Sequence, residues 1–420
     1  MGLASSGRPA MAHGNRSLSV SFDPFEPGYI ESPYEQYARL RIDDPVHWSD
    51  LLEGWVLTRY EDVAHVLREP TISVELDNAK PTGFVEAERT RMTETNRKTD
   101  TLVLRDDPDH ARLRRLMQQP FGIRAIDALR DMVRARVDTA LDRLVERGEM
   151  DVIVDFAYPL PVAIFCEMLG IPDEASPRFR DWTSAVARNL DPVISAEERD
   201  ECLRQLGEME RYLEEQVEKK RRQPADDIMT ELVQAEEEGD RLSRDELVAQ
   251  LVTLYVAGHE PTTALIGTGL RALIAYPEQL ARLEAEPSLW PNAVNEFLRW
   301  DGPNQFVRRI ATEPIERGDR TIEPGHIIYC CIGASNRDPA RWGDDVDDVH
   351  VDRPDAAHHL QFGMGVHSCL GAHLARLQAE LALRALTTRL EDIALAGSPV
   401  WSERMVLRGL QHLPISFEPA

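Results

Sequence analysis

Phe362-Gly363-Met364-Gly365-Val366-His367-Ser368-Cys369-Leu370-Gly371 is the stretch on which the reading of this chain turns. Two glycines and a histidine crowd up to a single cysteine. Leu370, Leu374, Leu377 and Leu381 then mark one face of a helix, which places Cys369 at a helix N-terminus. There the helix dipole and unpaired N–H groups favour a thiolate. Gly363 and Gly365 let the backbone turn tightly and come close to a flat ligand. Such a thiolate suits iron. Two rivals stand beside that reading: a buried structural cysteine in a Gly-rich turn, and zinc bound by His367, Cys369 and His373. Structural zinc sites usually take four ligands with paired cysteines, and no CxxC occurs here.

Outward from this segment the chain reads as mainly α. Helical apolar spacing recurs over 111–118, 124–147, 161–169, 197–222, 243–275, 291–300 and 370–391. Strand-like pieces are few: Trp55-Val56-Leu57-Thr58, and again from Arg308 to Tyr329. The pattern predicts one mostly helical domain with a small β region, rather than alternating βαβ units. Residues 1–20 read as a flexible tail and 21–420 as the domain. Polar stretches at 77–100 and about 173–198 read as mobile loops, functional or merely inserted.

Bulk properties exclude several classes. With 48 Lys and Arg against 73 Asp and Glu, the net charge is -25, which repels nucleic-acid phosphates and anionic lipid. No run of about 18 apolar residues is present to span a bilayer. The five cysteines (166, 202, 330, 331 and 369) are sparse and odd in number, so a disulfide framework is not expected and a cytoplasmic location is.

The segment at 362–371 matches every defined position of Phe-Gly-x-Gly-x-His-x-Cys-x-Gly. It resembles the heme-binding signature of the cytochrome P450 family, whose iron is held by a cysteine thiolate. That resemblance implies the cytochrome P450 fold, a single heme-binding domain and heme b. It makes Cys369 the iron ligand and His367 a heme-propionate contact, with Gly363 at the cofactor. His110 and Arg114, after Asp107-Pro108-Asp109, and Arg309 resemble further propionate partners. Glu296-x-x-Arg299 with Arg353 resembles the family's buried structural triad. Arg112 and Arg115 are candidates for docking an acidic ferredoxin on the thiolate side.

Ser243 and Glu246 form a capping-box pattern that opens a long helix, and Tyr276-Pro277 ends it. Inside it, Ala257-Gly258-His259-Glu260-Pro261-Thr262-Thr263 resembles the oxygen-activating motif, with one departure: Pro261 stands where the family has a threonine whose hydroxyl helps deliver protons to dioxygen. A proline removes one N–H and clashes with the carbonyl four residues back, here Ala257, at a cost of about 3 kcal/mol. A kink or opened turn is therefore predicted at Ala257 to Pro261. Glu260 takes the acid position and Thr262 that of the second threonine. Three substitutes for the missing hydroxyl are conceivable: Thr262 swung in by the kink, a polar substrate group, or chemistry based on substrate radicals such as aromatic coupling.

The same resemblance implies a small-molecule substrate, touched by the 77–100 loop, by Val256 and Ala257, by Asn304, Gln305 and Phe306, and by Val406. The amides of Asn304 and Gln305 suggest a partly polar natural product, such as a cyclic dipeptide or other aromatic secondary metabolite. An ordinary hydroxylase of a polyketide, terpenoid or xenobiotic is the alternative, and a non-catalytic heme gas sensor or carrier the reading from another class. No fused flavin or iron–sulfur module is visible, so electrons are expected from a separate ferredoxin and ferredoxin reductase.

Overall fold

The computed structural model describes residues 20–86, 89, 101–188, 190, 191, 194–237 and 240–420. Residues 1–19 of the expected tail and most of 87–100 lie outside the described residues.

Seven helices, numbered in chain order, build the scaffold of the site: α1 (Asp109–Met117), α2 (Pro159–Met168), α3 (Ser176–Arg188), α4 (Ala196–Arg222), α5 (Arg244–Ala275), α6 (Trp290–Asp301) and α7 (Ala372–Arg389). Helix α5 organises the rest. Its capping box is formed: the Ser243 hydroxyl accepts from the Glu246 N–H at 3.2 Å, and the Ser243 N–H donates to the Glu246 carboxylate at 2.8 Å. At 32 residues it is about 48 Å long, and α2, α3, α4, α6 and α7 all pack on it. An apolar sequence with no polar face is what such an encircled helix requires. It touches α7 where Gly269 meets Leu383.

Five strands form a mixed sheet beside this bundle: β1 (Val46–Ser49), β2 (Gly54–Leu57), β3 (Ile72–Ser73), β4 (Phe306–Ala311) and β5 (Ile327–Cys331). Their order is β1-β2-β5-β4-β3, with β5 parallel to β2 and antiparallel to β4. Along β4 the side chains alternate. Phe306 and Ile310 enter one apolar cluster, with Phe84, Met405 and Val406; Val307 and Ala311 enter another.

The triad forms as the resemblance implied. The fully buried Glu296 accepts from Arg299 Nε and Nη2 at 2.7 and 2.8 Å and from Arg353 Nε at 2.9 Å. Arg299 also donates to the carbonyls of Asn336, Val346 and Asp348, tying α6 to the chain that leads toward Cys369.

Two expectations change. The stretch 173–198 is not a loop: Ser176–Arg188 is helix, and the next helix begins at Ala196. Its polarity is that of an amphipathic helix whose Phe179, Trp182 and Val186 are buried. Helix α5 also runs unbroken through Pro261. Bonds on either side of the proline hold it. His259 Nε2 meets the Tyr158 carbonyl at 2.9 Å, and the Thr263 hydroxyl donates to the Ala157 carbonyl at 3.1 Å.

Candidate functional site

Backbone geometry builds the cysteine loop. Gly363 and Gly365 both take positive φ, 65° and 69°. A side chain at Gly365 would place its Cβ 2.8 Å from the Leu67 carbonyl, so only glycine allows this loop to press on the helix Tyr60–Arg68. The Cys369 N–H donates back to the Phe362 carbonyl at 2.8 Å, and Arg114 Nη1 donates to the Ser368 carbonyl at 2.9 Å. Cys369 then precedes α7 by three residues.

Cys369 is exposed. Yet it is enclosed densely enough that burial raises its thiol pKa, against the pull of the Gly371 N–H, Arg376 and Arg114. Accessible and enclosed together mean that it faces an internal space. Desolvation thus opposes the helix-end preference for thiolate expected from sequence. Among the described residues no three His, Cys, Asp or Glu side chains converge as a metal cluster, so the zinc alternative finds no ligand set.

Helix α5 carries an accessible face. Within this largely buried helix Thr253 and Pro261 are partly accessible and Ala257 is exposed. Their spacing of four puts them on one face. Ala257 and Cys369 both lie on the N-terminal side of the contact between Gly269 and Leu383.

A rim of basic side chains completes the arrangement. His110, 2 % exposed, sets its Nδ1 3.2 Å from Asp107 Oδ1 and leaves its buried Nε2 without a partner. Its ring lies 4.2 Å from that of His367. Burial, His110 and Arg309 push His367 down to about 4. Arg309 is buried, its pKa lowered by desolvation, and among the described residues it donates only to the Arg308 carbonyl at 2.8 Å. An orphaned buried ring nitrogen and a buried guanidinium without a carboxylate bond among the described residues fit a polar group that brings its own partners, such as carboxylates. His110, His367, Arg309 and, through Ser368, Arg114 are therefore gathered around the cysteine loop. Arg376 was not anticipated. It stacks 4.4 Å from the Phe362 ring and acts electrostatically on Cys369. Its place two turns after the cysteine was the available signal.

The remaining site candidates separate. Glu260 accepts from the Tyr158 hydroxyl at 3.1 Å and pairs with Arg404 at 2.9 Å. Arg404 in turn donates to Ser184 Oγ at 3.1 Å. These partners lie 102 and 144 residues from Glu260, beyond any local sequence signal. Glu260 and Pro261 border a cleft of about 350 Å³ with Tyr158, Pro303, Arg404 and Leu407. Thr262 is 2 % exposed, so the unbroken helix does not swing it into the space beside Ala257.

Val256 is buried and Val406 partly accessible. Asn304 and Gln305 are scaffold. Asn304 exchanges bonds with Gln361, its Nδ2 reaching the Gln361 carbonyl at 3.0 Å. Gln305 donates to the Gly302 carbonyl at 2.9 Å and accepts from Tyr37 at 3.2 Å. Among the described residues the Gln305 amide is engaged at both ends, whereas the partly accessible Asn304 commits only its Nδ2. Phe306 packs edge-on to Phe22 at 5.3 Å, a core contact. Arg112, expected free for docking, pairs with Glu246 and with Asp240 at 3.5 Å.

Known proteins share this fold. The family model "Cytochrome P450" matches residues 55–391. Cytochrome P450 107B1 of Saccharopolyspora erythraea is 36% identical over 406 residues, covering 93% of this chain and 96% of the relative. The 6-deoxyerythronolide B hydroxylase of the same organism is 35% identical, covering 92% and 96%. The solved structure of the Bacillus subtilis 168 bacillaene polyketide synthase cytochrome P450 PksS superposes with a TM-score of 0.85 at 32% identity, over 94% of this chain and all of that one. The chain belongs to the cytochrome P450 family and is an oxidoreductase, a monooxygenase that works with a heme iron.

Proposed function

We propose that this enzyme oxidises a small natural product of secondary metabolism in the space between Cys369 and the Thr253, Ala257, Pro261 face of α5. The pairing of an enclosed yet accessible cysteine with the rim of basic side chains carries the reading. Cys369 would ligate the iron of heme b, on a loop whose tight turns Gly363 and Gly365 allow. His110, Arg114, Arg309 and His367 would hold its propionates. When bound, the heme supplies a thiolate-ligated iron that activates dioxygen with electrons from a redox partner, here a separate ferredoxin and its reductase.

The chain's own residues then divide the work. Ala257 leaves room for dioxygen and substrate. Pro261 offers no hydroxyl on the cavity face. Glu260, beside the cleft, holds a proton-accepting carboxylate in place through Tyr158 and Arg404. Protons reach the cavity from that cleft by water, or from a polar group on the substrate itself. Val256, Ala257 and Val406 make substrate contacts.

A polyketide or macrolactone is the first substrate class, supported by the names of two relatives, a 6-deoxyerythronolide B hydroxylase and a bacillaene polyketide synthase P450. A second reading is radical coupling on an aromatic metabolite such as a cyclic dipeptide, with a polar group of the substrate standing in for the hydroxyl that Pro261 lacks. The test is turnover with ferredoxin, reductase and panels of macrolactones and aromatic cyclic dipeptides, with product masses measured. Oxygen insertion supports the first reading; loss of two hydrogens supports the second. A heme-loaded protein that binds panel members and converts none would instead be a sensor or carrier.

A further inference from the structure

Tyr34 and Tyr37 sit one turn apart at the start of the helix Tyr34–Asp43. Their rings meet edge-on at 6.0 Å, and Tyr37 meets Phe306 of β4 at the same distance. The Tyr37 hydroxyl lies 2.9 Å from that of Tyr29 and donates to Gln305 Oε1 at 3.2 Å. Ring contact and hydrogen bond thus join Tyr37 to β4. The same strand carries Arg309 of the basic rim three residues after Phe306, about 10 Å further along. Tyr37 is buried, whereas Tyr34 keeps an accessible edge. The pair leads from the neighbourhood of the rim to the surface.

The two phenols differ in what their protons can do. Burial raises both pKa values well above the usual phenol range, so each loses an electron only together with its proton. Tyr37 has an amide oxygen and another phenol beside its hydroxyl. Tyr34 instead donates at 2.6 Å to Oδ1 of the buried Asp301. Against the upward push of burial, Arg408, Arg271 and Arg337 hold that carboxylate ionised and ready to accept. They also weaken it as a base. An oxidised phenol is a far stronger acid than a carboxylic acid, so the proton still moves. The Arg337 guanidinium, 3.6 Å from the centre of the Tyr34 ring, repels a cationic ring and favours loss of that proton. A hole that reaches Tyr37 therefore settles on Tyr34.

We propose that Tyr37 and Tyr34 form a relay that carries surplus oxidising equivalents from the cofactor to the surface, a second activity beside substrate oxidation. It rests on the heme placement above. Its co-reactants are hydrogen peroxide and a small reductant such as ascorbate. In each pass one electron leaves Tyr34 through Tyr37 for the cofactor site, and the Tyr34 proton goes to Asp301. The reductant then returns an electron at the accessible edge of Tyr34, and Asp301 returns the proton. Two passes, with two protons from solvent, reduce one hydrogen peroxide to two waters and leave both tyrosines unchanged.

The test is freeze-quench electron paramagnetic resonance of the substrate-free, heme-loaded full chain mixed with hydrogen peroxide. Wild type should give a tyrosyl radical, whose signal narrows when the protein carries ring-deuterated tyrosine. Tyr34→Phe should remove most of that signal, and Tyr37→Phe should lower it while leaving the Tyr34–Asp301 bond in place, which keeps the test open if Tyr34→Phe loses heme. Ascorbate should slow peroxide bleaching of the heme in wild type and not in Tyr34→Phe. Tyr212→Phe, on α4, should change neither readout. No radical in a wild type that shows a thiolate-type heme spectrum overturns the proposal. So does a signal that both Tyr34→Phe and Tyr37→Phe leave intact, or one that Tyr212→Phe lowers equally. Failure of the heme reading is separate: it shows as absence of a thiolate-type spectrum in the reduced, carbon-monoxide-bound wild type.

Discussion

Replacing Glu296 by glutamine tests the buried charge set that braces the cysteine side of the fold. The carboxylate is fully buried and accepts four bonds: three from Arg299 and Arg353, and one from the His350 N–H at 3.0 Å. The amide keeps the shape, loses the charge and turns an NH2 group toward a guanidinium. Removing one partner from a buried ion set costs about 3–5 kcal/mol. Arg299 retains three backbone carbonyls and Arg353 retains Asp345 at 3.0 Å, which puts the expected loss at the lower end, about 3 kcal/mol. Against a total stability of about 5–15 kcal/mol this is a large fraction. Urea unfolding followed by tryptophan fluorescence measures it, with and without added heme. A loss below about 1 kcal/mol, the value of an exposed pair, refutes the reasoning. A double-mutant cycle with Arg353→Ala adds a control: the two changes should be strongly non-additive.

Other outcomes follow from single residues. Pro261→Thr restores a hydroxyl to the cavity face of α5, so a larger share of consumed reductant should appear as product; unchanged coupling means position 261 does not limit proton delivery. Gly365→Ala meets both a positive φ and the Leu67 carbonyl, whereas Gly318→Ala, at φ 59°, has nothing within 4 Å. The first should cost clearly more than the ~1–2 kcal/mol of the left-handed conformation alone, measured by urea unfolding, and the second no more than that. His359 is buried, accepts from the Gln361 N–H at 3.1 Å, and is pushed down to about 3 by burial and then by Arg376 and Arg299. A folded pKa below the unfolded one means that stability is present above about 6.5 and is lost as pH falls toward 3, by about 1.4 kcal/mol per pH unit. His359→Asn should flatten that slope in urea unfolding between pH 6.5 and 4; an unchanged slope assigns the acid sensitivity elsewhere.

Local pattern and long-range packing divided what could be read in advance. The spacing of apolar residues over 243–275 located α5 almost to the residue, because the Ser243–Glu246 box and Tyr276-Pro277 mark its ends chemically. The cysteine loop was legible for the same reason: glycines at positive φ and the apolar face of the following helix are local facts. The stretch 173–198 was misread because charged residues on one helix face mask the buried Phe179, Trp182 and Val186 on the other. Pro261 was expected to open the helix, but bonds from His259 and Thr263 to the distant segment at Ala157 and Tyr158 hold it closed. Tyr158 and Arg404 as partners of Glu260, and the engaged amides of Asn304 and Gln305, likewise depend on tertiary neighbours. No spacing rule reports those.

The central claim, that Cys369 ligates a heme iron in this protein, is tested most directly by the absorption spectrum of the reduced, carbon-monoxide-bound protein alongside that of Cys369→Ala. The account predicts a thiolate-ligated heme spectrum in the wild type and its complete loss in the variant. An identical spectrum in both proteins would contradict it.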